Sequence, residues 1–331
     1  MTLYLLFLIG LICGRIAAIW GCRLVEDTTN AGLIRCHACG QTNSLTRQLM
    51  GLPGQRCPCC GVPGRIWPLA TAILTGLLFA AYGHSLLIEG CQTVSEVRPS
   101  SPLWQNRLPY HLLFLFLLLI VTITDLLDYS IPDLIIGLGV GSAVILAGIS
   151  GELQMIHIWV RWDNLMVDLY GPYLPEWMKH HQHLHGIAWS TAGMLTGSLL
   201  IWVVRIIARG ILGYQAIGFG DVTLMAMIGA FLGWQPVLCT LALAPAAGIL
   251  LGTTLRLITG RSFVAFGPHL AFAAVTVLFS WRYLWEDLRF RNIFSHWPTI
   301  AGLVGGTLAG ISFLLLGVRL FRMVPVDRIR S

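Results

Sequence analysis

Two short stretches put carboxylates where a chain rarely places them. DLLDYSIPD, residues 125 to 133, follows the apolar run HLLFLFLLLIVTIT, and GFGDVTLMAMIGAFLGW, residues 218 to 234, sets Asp221 at the head of another such run. A charge in hydrocarbon costs about 2.5 to 3.5 kcal/mol even on a lenient insertion scale, so each needs a reason. Asp128 and Asp133 have ordinary ones, the first in a turn between helices and the second after Pro132 in helix-start order. Asp221 suits a helix N-cap. Capping alone does not explain Gly218 and Gly220, whose backbones permit close approach. Asp125 has the weakest ordinary account, because a carboxylate near the end of a helical run meets the unfavourable end of the dipole. A facing pair accounts for both. Two carboxylates that share a site do not both ionise easily, so one keeps a proton while the other deprotonates a water that attacks a peptide carbonyl. The helix ends predict Asp221 as the base and Asp125 as the acid.

A second chemistry lies in CHACG at 36 to 40 and CPCCG at 57 to 61. Cys36, Cys39, Cys57 and Cys60 have the spacing of a four-thiolate zinc site, and Gly40 and Gly61 close each half with a tight turn. Four thiolates leave no open position for water, so the metal is structural. Cys59 falls off the repeat, while Cys13, Cys22, Cys91 and Cys239 read as small apolar fillers in or near apolar runs.

The elements that must position these groups are membrane helices. In a 331-residue chain, 56% hydrophobic and 11% charged residues with a mean hydropathy of +0.75 lie far outside the averages of soluble proteins. Apolar runs near 2–20, 68–88, 109–127, 132–150, 186–208, 221–234, 236–255, 264–281 and 298–318 predict an all-α polytopic membrane protein of eight to nine spans. They lack the alternation of a membrane β-barrel. The first run is expected to be a retained span, since it has neither a basic start nor a small-residue cleavage site.

With the N-terminus outside and nine spans, the cytoplasmic segments gather fourteen of the 21 basic residues, the positive-inside pattern. The formal charge of +6 therefore reads as topology, and no nucleic-acid partner is expected. The zinc-ribbon-like module at 21–67 and Asp125, Asp128, Asp133 and Asp221 then lie at the cytoplasmic face. The division reads as a first span at 1–20, the zinc module at 21–67, an aspartate-bearing core at 68–281, and an additional span with a basic tail at 282–331. Within the core, 151–185 forms an extracytoplasmic insertion whose Trp and Tyr suit an interface. Its His180, His181, His183 and His185 are read as a solvated surface rather than a metal site. A proton-coupled transporter would want its acids at the bilayer centre and an inverted repeat, neither of which is seen. A non-catalytic assembly factor would need the cysteines but not both aspartates.

At these residues the chain resembles the type IV prepilin peptidases, intramembrane aspartic proteases with a Gly-x-Gly-Asp motif. TDLLDYSIPD and GFGDVTLMAMIGAFLGW are similar to the two aspartate segments, the cysteine module to the one between the first two spans, and FGPHLAF at 266–272 to the usual end of the family. The resemblance implies that Asp125 and Asp221 are catalytic, that Gly218 and Gly220 support the loop, and that Cys36, Cys39, Cys57 and Cys60 hold zinc. It implies cleavage of the leader of prepilin or pseudopilin-like membrane substrates, after a Gly, at the cytoplasmic face of a bacterial inner membrane. Many members then methylate the new N-terminus with S-adenosylmethionine. This chain departs from that pattern, with Ala18 where Asn is usual, Thr71 where Glu is usual, and Thr223 where Lys is common.

Overall fold

The computed structural model describes residues 2–25, 35–36, 38–42, 56–61, 66–97, 99–160, 162, 175–215, 217–259 and 266–323. In chain order the helices are α1 Thr2–Leu24, α2 Trp67–His84, α3 Arg107–Asp128, α4 Asp133–Ser150, the short α5 Glu176–His180 and α6 Gln182–Leu212. They continue as α7 Phe219–Leu232, α8 Trp234–Thr259, α9 Gly267–Arg282, the short α10 Phe290–Ser295 and α11 Trp297–Met323. Single π-helical turns, Ser85–Glu89 and Tyr283–Asp287, extend α2 and α9.

Seven of the described helices, α1 to α4, α6, α8 and α11, are long and apolar enough to cross a membrane. The run expected at 221–234 forms a helix of 14 residues, short of the roughly 20 that cross hydrocarbon alone, while the run expected at 264–281 forms α9, which its π-helical turn continues to Asp287. They are core helices, and α7 is the central one. Its composition is apolar all round, which suits a helix with no solvent or lipid face. Leu224, Met225, Met227, Ile228, Phe231 and Leu232 are all buried. Helices α3, α4, α6, α8 and α9 pack around it.

Lipid tails are as apolar as Leu, so burial does not drive these contacts; close fit does. Gly193 of α6 and Gly229 of α7 face each other so closely that a Cβ on either would strike the other's carbonyl. Phe231 stacks on Phe114 of α3 at 4.9 Å between ring centroids and lies 4.8 Å from Tyr110. Helix α7 is thereby locked against the helix that carries Asp125.

At the end of the bundle away from Asp125, the first residues of the expected extracytoplasmic insertion pack against the helices. Leu153, Met155, Ile156 and Val160 are buried. Trp159 stacks on Trp234 with an interplanar angle of 11°. Buried Arg107 donates to the carbonyls of Gln92 and Gln154, and buried Glu96 accepts the indole N–H groups of Trp162 and Trp285, each at 2.8 Å. This ties α3, the 151–160 segment and the end of α9 into a cap. Of the expected insertion, residues 161 and 163–174 lie outside the described residues, as do 26–34, 37, 43–55 and 62–65 of the zinc module.

Candidate active site and metal centre

Asp125 lies in the last turn of α3 and is buried, 5% exposed. Helix α3 ends at Asp128 because Tyr129 takes a left-handed conformation, φ 51°, and returns its N–H to the Asp125 carbonyl at 3.0 Å. Residues 129–132 then turn the chain, and Pro132 opens α4. That turn is what meets the second aspartate. Ile131 packs on Gly220, where a Cβ would come within 3.0 Å of its side chain, so glycine at 220 lets the two segments close.

Asp221 is the third residue of α7 and half-buried. Its Oδ2 accepts the N–H of Gly218 at 3.2 Å, one half of a capping box; Gly218 has no side chain for the other half. The Ile131 contact sets the turn after Asp125 against the residue before Asp221, and Gly267 lies against both Asp125 and Leu224 of α7. The loop is held from behind by Arg205 of α6, whose Nε donates to the Ile217 carbonyl at 3.1 Å and whose guanidinium lies 5.5 Å from the Phe219 ring centroid.

A further participant is Gly267. Its N–H, at the start of α9, donates to Asp125 Oδ2 at 3.0 Å, 142 residues away in the chain. Pro268 at the first turn fixes that helix start. This removes the basis on which the acid and base roles were divided. Asp125 ends its own helix, but it also faces the N-terminus of α9, so both carboxylates meet the favourable end of a dipole. FGPHLAF was legible as a motif, but no signal in it pointed to Asp125.

Asp128 is half-buried at the end of α3, and Asp133 is exposed at the start of α4. The histidines do not converge. His180 pairs with Glu176 at 3.3 Å, His183 bonds the Gly148 carbonyl, and buried His185 accepts the Ile158 N–H through Nε2.

The cysteines do converge. The sulfurs of Cys36, Cys39, Cys57 and Cys60 lie within 4.8 Å of one another, with Cys36 to Cys60 at 3.5 Å and Cys39 to Cys57 at 3.7 Å. A tetrahedron of sulfurs about 2.3 Å from zinc has edges of about 3.8 Å, so the set fits that ion. Gly40 and Gly61, both at φ 71°, return their N–H groups to the Cys36 and Cys57 carbonyls at 2.9 Å, giving two matching turns. Backbone N–H groups of Ala38 and Cys39 hold the Cys36 thiol down to about 6, and those of Cys60 and Cys59 lower Cys57. Both shifts favour the thiolate that a metal needs, whereas desolvation and the neighbouring sulfurs push Cys39 up to about 12.

The chain's similarities run the same way. Residues 112–253 match the Type IV leader peptidase family. A Pseudomonas putida protein named prepilin leader peptidase/N-methyltransferase is 26% identical over 71% of this chain and 73% of its own length. Proteins of the same name from Klebsiella pneumoniae and Stutzerimonas stutzeri are 30% and 37% identical, over 58% and 29% of this chain and 64% and 32% of their own lengths. The chain thus spans less than two thirds of the length of both of these relatives. No solved structure matches it. The matched segment contains both aspartates, the α3–α4 turn and the Gly-x-Gly-Asp loop, and over these residues the chain is similar to the type IV leader peptidase family.

Proposed function

We propose that the chain is an aspartic endopeptidase of a bacterial inner membrane that removes the leader of type IV prepilin or pseudopilin-like proteins. The observation that carries this reading is the pair itself, Asp125 and Asp221, on different helices joined by the Ile131–Gly220 contact and each held by the N–H of a glycine. In such a pair one carboxylate takes a proton from water while the other, protonated, donates to the scissile carbonyl oxygen. The bond breaks when the proton held by the first carboxylate passes to the leaving amine. Glycine at 218, 220 and 267 supports the geometry in distinct ways, two as N–H donors and Gly220 as the close-contact point with Ile131.

With the N-terminus outside, the aspartates and the zinc module share the cytoplasmic face, where a leader emerges from the bilayer. Cys36, Cys39, Cys57 and Cys60 hold zinc as a structural ion; bound there, it supplies cross-linking of the module and no chemistry to the aspartates. The core is residues 68–281.

A second reading, methylation of the new N-terminus, is favoured by the names of the relatives. The residues here do not fit S-adenosylmethionine. The corner between α1 and α2 is filled by Ala18, Ile19 and Cys22 packed against Trp67 and Leu127, and the Thr71 hydroxyl is bonded to the Trp67 carbonyl at 2.8 Å. Neither position supplies the carboxylate or amide that a charged amino-acid ligand asks for.

The test is cleavage of a co-expressed prepilin-like substrate by wild type, Asp125→Asn, Asp221→Asn and Asp128→Asn, each checked for insertion. Loss in the first two variants alone is expected. Cleavage by either inserted variant would end the peptidase reading.

A further inference from the structure

Beyond the aspartates, an apolar cavity of about 470 Å³ runs between α6, α8 and α11. Helix α11 lines it with Ile300, Val304, Thr307, Leu308 and Ile311. These recur at helical spacing and form one stripe of the helix. The stripe faces a space where a packed neighbour would be expected, because α11 packs mainly on α6 and α10. The wall from Ile300 to Ile311 is about 17 Å long at roughly 1.5 Å per residue, over half of a hydrocarbon layer about 30 Å thick.

The other end of the cavity says what it is for. Ile217 and Phe266 both line it. Ile217 immediately precedes Gly218, whose N–H holds Asp221, and Phe266 immediately precedes Gly267, whose N–H holds Asp125. The apolar space is therefore continuous with the two backbone anchors of the site. An apolar segment seated in it delivers the polar chain that follows to the carboxylates. A lipid tail would gain the same burial, but continuity with the aspartates would serve it no purpose.

We infer that this groove docks the apolar stem of the substrate, with α11 as the wall that selects it. The inference rests on the peptidase reading above. A whole helix, about 10 Å across, would fill well over roughly 1,000 Å³ along a 17 Å wall, so the stem lies along the open side and inserts one stripe of side chains.

Two substrates test it: a prepilin-like protein with its apolar stem, in detergent, and a stemless soluble peptide spanning the same cleavage site. Wild type is compared with Val304→Trp and Leu308→Trp, which fill the groove. The readout is the ratio of kcat/KM for the stemmed substrate to that for the stemless one, in which any misfolded fraction cancels. The ratio should fall by about tenfold or more, through a raised KM for the stemmed substrate. If both Trp variants lose all cleavage, Val304→Ala and Leu308→Ala, which only widen the groove, should lower the same ratio. An unchanged ratio overturns the inference and leaves a lipid tail as the occupant. Wild type that cleaves neither substrate removes the peptidase reading itself.

Discussion

Substituting Gly267 by Ala separates the geometry of the pair from its chemistry. Gly267 does not have a positive φ, so alanine is acceptable to the backbone, and the N–H that bonds Asp125 is retained. What changes is a methyl group that would overlap Asp125 Oδ2 and lie 3.2 Å from its Cγ. The carboxylate is the end of a short side chain, buried, and set in the last turn of α3, so it has little room to retreat. Either it shifts by several tenths of an ångström or more, or α9 moves away and the bond lengthens. A misplacement of about 1 Å costs roughly 100-fold in rate. A lost hydrogen bond to a charged group, worth about 1.5 to 3 kcal/mol, leads to a similar figure, about 10- to 150-fold. The expected result is kcat for leader cleavage reduced by about 100-fold, with KM near wild type, in protein that inserts and purifies normally. Gly248→Ala is the control, since a Cβ there would meet His269 only at an ordinary 3.8 Å. Inserted Gly267→Ala protein that retains cleavage within about threefold would refute the reasoning, for the α9 N-terminus would then not position Asp125.

Four other outcomes are expected. Arg205→Ala removes both the bond to the Ile217 carbonyl and the cation over Phe219, and should lower kcat by about tenfold; Arg205→Lys should recover little, as an ammonium lacks the planar fork. Chelation, or Cys36→Ser, should release zinc measured by metal analysis and expose the cysteine module to protease, while helical content of the membrane bundle persists. Mass spectrometry of the cleaved product should find its N-terminus unmethylated with S-adenosylmethionine present, given the apolar corner around Ala18. Burial, helped by the Arg107 charge, holds the His157 imidazole down to about 4 against the bond it makes to the Glu96 carbonyl. Its neutral form contributes stability fully above its ordinary value near 6.5 and loses it as pH falls toward 4. The Tm in detergent should therefore drop between pH 7 and pH 4, and His157→Gln should flatten that drop. Glu96, Arg107 and His185 are the ionisable groups facing His157 on the elements packed around it.

What could be read from the residues, and what could not, divides by the range of the interaction. Span positions follow from apolar runs, which are local, and the ends of α3, α4 and α7 fall within a residue or two of where DLLDYSIPD and GFGD place them. The cysteine spacing is local too, and it produced the cluster. The bond from Gly267 to Asp125 crosses 142 residues and leaves no period or composition in either segment. The burial of 151–160 has a related origin. Its Trp and His residues look interfacial one by one, and only Trp234, Glu96 and Arg107, supplied by distant helices, make burial favourable there.

The length of α7 ties these points together. At 14 residues it is too short to cross the hydrocarbon, and it is surrounded by five longer helices. Its N-terminus therefore lies inside the bundle's outline while still near one face, where water and an emerging polypeptide can reach it. A helix of about 20 residues starting at the same depth would have pushed either Asp221 into water or Trp234 past the opposite interface. The first would lose the low-dielectric coupling between the carboxylates, and the second would break the Trp234 bond to the Ile158 carbonyl at 2.6 Å that anchors the cap. Lengthening α7 by one turn after Phe231 should accordingly separate Asp221 from Asp125 or open the cap, and in either case abolish cleavage while the seven long helices still insert. Cleavage that survives such an insertion would mean that the depth of Asp221 is set by the Gly218–Asp221 loop and Arg205 alone.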